Sequence, residues 1–106
     1  MTELKPTILI SECISEVRTE LINILNPSFN ILIADTEEDI FGQINLNPEL
    51  SIIIMNPVQE NLNGFDLVKK FKSFPQLKHI SFIFVISKDD DVLQIKGLEL
   101  GVIDFI

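Results

Sequence analysis

Apolar residues along this chain come in short runs that alternate with segments of helical spacing. Thr7–Ser11 reads as a first strand after Pro6. Ser15 suits a helix cap, and Val17, Leu21, Ile24 and Leu25 recur at helical spacing until Asn26-Pro27 stops them. Phe29–Ala34 reads as a second strand. Asp35-Thr36-Glu37-Glu38 supplies a cap and an acidic first turn, and Ile40, Phe41 and Ile44 continue the stripe. Pro48 breaks the chain before a third strand, Ser51–Met55. A third helix is expected from about Phe65 to Phe74, stopped by Pro75. Ile80–Ile86, apolar almost throughout, predicts a fourth strand covered on both faces. Asp89-Asp90-Asp91 leads into a fourth helix ending at Gly101, where glycine suits a left-handed cap, and Val102–Ile106 reads as a fifth strand.

Strand and helix alternating through short links imply an α/β domain of three layers. Its sheet is parallel, its crossovers right-handed and its helices lie on both faces. No helix follows the fifth strand, so the first helix alone would cover one face and leave an apolar strip open. The expectation is a single domain over residues 1–106 that is a fragment, cut from a longer protein after the fifth strand.

Composition narrows the function more than the fold. A chain of 106 residues buries roughly two thirds of its unfolded surface, as one domain does. Its net charge of −8 and scattered basic residues argue against a nucleic-acid binder. Lys69, Lys70 and Lys72 fall on the solvated side of the third helix, opposite Leu67, Val68 and Phe71. One cysteine forms no internal disulfide, and no residue set has zinc spacing. Met1–Thr7 lacks the apolar stretch of a signal peptide or membrane span, so the chain reads as cytosolic.

Candidate chemistry centres on Asn56. Ser51–Met55 is a buried-strand pattern that ends by delivering this one polar side chain, and Asn63-Gly64 then opens an amphipathic helix. Open α/β sheets build sites at such strand ends. The delivered group is an amide, neither a nucleophile at neutral pH nor a charged metal ligand. A structural hydrogen-bonding role for Asn56 is the plainer reading. Cys13 likewise reads first as a small buried filler, Asp89–Asp91 as an acidic helix start and His79 as a solvated loop residue.

Three blocks then carry a resemblance. His79-Ile80-Ser81 through Lys88-Asp89-Asp90, Gly97-Leu98-Glu99-Leu100-Gly101 and Asp104-Phe105-Ile106 match in order and without a gap, while Asn63-Gly64 and Val17-Arg18 also fall in register. Over essentially its whole length the chain resembles a response-regulator receiver domain of the CheY-like kind. Within that family it looks closest to receivers fused to diguanylate cyclase output domains. The resemblance implies a flavodoxin-like fold with five parallel strands in the order 2-1-3-4-5 and a final helix missing from this chain.

It also implies a degenerate site. Receivers take a phosphoryl group onto an aspartate at the end of the third strand, and Asn56 stands at that position. Glu12 and Cys13 occupy the two acidic-pocket positions, so one carboxylate remains and Mg²⁺ binding is expected to be weak or absent, with no other cofactor. Ile86 falls on the Ser/Thr switch position with Ser87 beside it, and Phe105 on the switch aromatic. The family's lysine would come two residues after Ile106. Pro57 lacks the N–H that receivers direct at a phosphoryl oxygen.

The implied function is a phosphorylation-independent pseudo-receiver of a two-component signalling protein, with no enzymatic activity and no catalytic residue. It would dock a protein partner, a linked output domain or a second copy through Val92, Ile95, Leu98 and Phe105, without contacting nucleic acid or membrane. Two readings compete: a phosphoacceptor using Glu12 or Asp35 instead, and a flavodoxin-like small-ligand binder. The second lacks a phosphate loop at Glu12-Cys13-Ile14-Ser15.

Overall fold

The computed structural model describes residues 5–60, 62–86, 89–102 and 104–105, the last two by their backbone alone. In chain order the elements are β1 (Thr7–Ser11), α1 (Ser15–Leu25), β2 (Asn30–Ile33), α2 (Glu37–Leu46), β3 (Ile52–Met55), β4 (Val58–Gln59) and β5 (Leu62–Asn63). There follow α3 (Gly64–Lys72), a 3₁₀ turn (Pro75–Leu77), β6 (Ser81–Phe84), α4 (Asp91–Glu99) and β7 (Asp104–Phe105). The main sheet is parallel in the order β2-β1-β3-β6-β7, the expected topology once the β4–β5 hairpin is set aside. That antiparallel hairpin was not foreseen.

Period-two alternation divides each strand between two unequal cores. Leu9, Ile53, Met55, Phe82 and Phe84 share a continuous core with Ile40 and Ile44 of α2 and Phe65, Leu67, Val68 and Phe71 of α3. Phenylalanines run through it: Phe41 meets Phe71 at 5.2 Å, Phe71 meets Phe82 edge-on at 5.1 Å, and Phe65 meets Phe84 edge-on at 5.3 Å. On the opposite face, among the described residues, only Ile8, Ile10 and Ile54 are fully buried, against Leu21, Ile22 and Leu25 of α1. No residue of α1 is itself fully buried. Ile83 and Val85 are half-buried there, so the fourth strand is fully covered on its phenylalanine side only.

Element ends explain the other departures from expectation. Thr36 caps α2, accepting the Asp39 N–H at 3.1 Å, and Asp90 caps α4, accepting that of Leu93 at 3.1 Å. Ser15 does not cap α1. It is the first helical residue, after Ile14, and its hydroxyl turns to the Glu16 carboxylate. Gly101 closes α4 at φ 86°, with its N–H on the Leu98 carbonyl and the Val102 N–H on that of Gly97. Both bonds of a Schellman ending are therefore present. The third helix stops at Lys72, and the proline taken as its stop instead begins the 3₁₀ turn. The fourth strand pairs only over Ser81–Phe84, although Ile80 and Ile86 beyond its ends are buried. Asp104 and Phe105 continue the sheet beside β6; the remaining residues of the expected fifth strand include Ile103 and Ile106, outside the described set.

Candidate functional site

Parallel strands deliver side chains at their C-terminal ends, and here β1 and β3 end side by side. The Asn56 N–H donates to the Ser11 carbonyl at 2.9 Å, extending the pairing one residue past β3 and setting Asn56 beside Glu12. Glu12 is 1% exposed and Asn56 half-buried. Asn56 Nδ2 donates to Glu12 Oε2 at 2.9 Å and approaches Cys13 Sγ at 3.9 Å. At its other end Asn56 Oδ1 accepts the Val58 N–H at 3.0 Å. Both partners fix the orientation of the carboxamide, since a carboxylate calls for the NH₂ and an N–H for the oxygen.

Gln59 adds a second amide to the network. Its Nε2 donates to the Asn56 carbonyl at 2.7 Å, the Ser11 carbonyl at 3.2 Å and the Ser11 hydroxyl at 3.3 Å. The hairpin is thereby tied to the ends of both central strands. Its base is tight: Gly64 N–H donates to the Pro57 carbonyl at 2.8 Å, and a Cβ on Gly64 would lie 2.6 Å from Pro57 Cα. Sequence reasoning missed Gln59. The available signal was the pair Val58-Gln59 and Leu62-Asn63 separated by two residues, the spacing of a hairpin.

Beside this network opens a cleft of about 490 Å³, walled by Ile14, Val17, Pro57, Val85, Ile86 and Leu93, with Glu12, Asn56 and Asp90 as polar members. Ile86, expected at the switch position, is a buried wall of the cleft. Ser87 and the side chain of Phe105 lie outside the described residues. Cys13 is exposed, against the expectation of a buried filler, because it follows β1 in the turn before α1. It lines a shallow hollow with Arg18, Asp35, Gln59 and Glu60, where Arg18 and Asp35 stand 3.8 Å apart. His79 is exposed, as are Lys69, Lys70 and Lys72, and Lys70 pairs with Glu37 at 2.8 Å.

These donors do not fit Mg²⁺, which takes oxygen ligands in a tight octahedron. Glu12 Oε2 is already held by the Asn56 NH₂, which leaves a single oxygen of this carboxylate, the buried and unpartnered Oε1, to face a cation. Asn56 turns N–H groups rather than its oxygen toward Glu12, and Cys13 offers a soft sulfur. Among the described residues no three His, Cys, Asp or Glu side chains are grouped to hold a metal ion. Among them, too, no helix is long and apolar enough to cross a membrane.

No protein-family model matches the sequence, and no curated protein matches it. Solved structures do. A response regulator from Chloroflexus aurantiacus superposes with a TM-score of 0.87 at 22% identity, over 97% of this chain and 84% of that one. A response regulator receiver protein from Pseudomonas putida gives 0.81 at 21% identity, over 99% and 87%. The chemotaxis protein CheY4 of Vibrio cholerae gives 0.80 at only 12% identity, over 97% and 86%. With its parallel sheet flanked by helices, the chain has the fold of the response-regulator receiver domains.

Proposed function

We propose that this chain is a phosphorylation-independent receiver-like module of a cytosolic two-component signalling protein, working by docking rather than by catalysis. One observation carries the reading: the amide of Asn56 satisfies Glu12 and Val58 together, at 2.9 and 3.0 Å. The position implied for a phosphoacceptor therefore holds a group whose polar atoms are committed to the fold. An amide nitrogen delocalised into its carbonyl is no nucleophile. Pro57, next in sequence, has no N–H to offer an incoming oxyanion.

The displaced-acceptor reading gains no support from the two carboxylates available to it. Glu12 is 1% exposed, so an in-line approach to it is blocked, and Asp35 stands beside Arg18 on another strand end. Val92, Ile95 and Leu98 support docking through α4, being 75%, 57% and 60% exposed on a helix whose inner side is Leu93 and Gly97. The partner is proposed to be a protein, an attached output domain or a second copy.

Incubation with acetyl phosphate and Mg²⁺, read by intact mass before and after hydroxylamine, tests the reading. No hydroxylamine-labile phosphate is expected on the wild-type chain. Stoichiometric labile phosphate would overturn it.

A further inference from the structure

At the end of the sheet remote from Asn56, where β6 begins and α4 ends, lies a second cleft of about 460 Å³. Its walls are Val68 and Phe71 of α3, Leu77 of the 3₁₀ turn, Ile80 and Phe82 around the start of β6, and Leu100 after α4. All are buried except Leu100, which is half-buried, so the surface is apolar and built on packed elements. Lys72 and Lys78, both exposed, are its charged lining members, and no acidic residue lines it among the described residues. Neither ammonium group has an ion pair or hydrogen bond among the described residues, whereas that of Lys70 is held by Glu37 and that of Lys96 lies over the Phe65 ring. Lys72 lies over Gly101: a Cβ there would meet Nζ at 3.1 Å and Cε at 3.4 Å.

We propose that this cleft binds a small amphipathic anion, an aliphatic monocarboxylate of medium chain length. Two unneutralised ammonium groups at the rim of an apolar cleft fit one anionic head and an alkyl body. Volumes of this order are usual for small-molecule sites. The net charge of −8 disfavours a polyanion such as a nucleic acid, because the rest of the surface repels it. A monoanion meets chiefly the local field of the lysines. A free phosphate dianion lacks the alkyl body for which the walls are suited.

Titration of the ¹⁵N-labelled chain with butanoate, hexanoate and octanoate, followed by amide shifts, tests the assignment. Shifts are expected at Leu77, Ile80, Ser81, Leu100 and Gly101. Affinity is expected to rise about two- to fourfold per added methylene until the alkyl chain outgrows the cleft. Hexanol is expected to bind more weakly than hexanoate. The double variant Lys72→Gln/Lys78→Gln should keep its spectrum, since both side chains are exposed, and lose affinity by about threefold or more. Hexanol matching hexanoate, unchanged binding by the double variant, or shifts confined to the Asn56 end of the sheet would each overturn the proposal.

Discussion

At position 56 an amide joins two interactions that a carboxylate could not hold together. It donates to Glu12 from one end and accepts from Val58 at the other. Asn56→Asp keeps the acceptor and sets a second carboxylate against Glu12. A loss of about 1–3 kcal/mol in urea-measured stability is expected at neutral pH. Repulsion raises one carboxyl's affinity for a proton in the folded state above that in the unfolded state. The variant's deficit relative to wild type should therefore shrink as pH falls through that raised value. The wild-type melting midpoint should be the same in millimolar Mg²⁺ and in EDTA, while the Asp variant should gain from Mg²⁺ through linkage. An Mg²⁺-dependent rise in wild type, absent from Glu12→Gln, would contradict the fit argued here. Asn56 was legible from the end of its strand, whereas Glu12 and Cys13 came only with the resemblance to receiver domains; the three side chains do meet in the fold. Gln59 was not legible, since its role depends on a hairpin that folds its side chain back onto two carbonyls.

Among the elements, the hairpin and α3 are fastened at one point. Gly64 has no room for a methyl group against Pro57, so Gly64→Ala should cost about 1–3 kcal/mol through overpacking, measurable by urea unfolding. Phe71 touches rings from α2 and β6, and Phe71→Ala should cost about 3–5 kcal/mol in the same assay. Strand boundaries were read less well than strand identities, and the fourth strand gives the reason. Ile80 and Ile86 are buried but lie outside the paired segment Ser81–Phe84. Hydrophobicity reports burial, whereas a strand is defined by backbone pairing. The Ser15 cap failed for a related reason: a good capping residue one position late becomes the first residue of the helix.

Taken as a whole, the molecule is asymmetric, with a thick phenylalanine-rich core on one sheet face and a thinner one under α1. On the thin side Ile31, Ile52, Ile83 and Val85 are half-buried and packed against the smaller core. An exposed apolar surface follows α4 at Val92, Ile95 and Leu98. The charged double variant Ile95→Glu/Leu98→Glu removes that stripe without touching the inner Leu93 and Gly97. It should keep the wild-type melting midpoint within about 0.5 kcal/mol of equivalent stability. Self-association or partner binding should fall in light scattering or pull-down with a defined signalling partner. Undiminished association would move the docking face elsewhere.

One feature of the hairpin base bears on how the chain ages. Asn63-Gly64 is the dipeptide most prone to deamidation, which proceeds by attack of the glycine nitrogen on the asparagine side chain. In the folded chain Asn63 Oδ1 holds the Phe65 and Asp66 N–H groups at 2.9 and 3.1 Å, while the Gly64 N–H is bound to Pro57. The reacting groups are thus held in separate hydrogen bonds, and cyclisation requires the hairpin to open. Conversion of Asn63 to aspartate and isoaspartate, followed by peptide mapping over weeks of storage, should then run as a slow clock of local opening. It should run faster in Gln59→Ala, where the hairpin loses its tie to the strand ends.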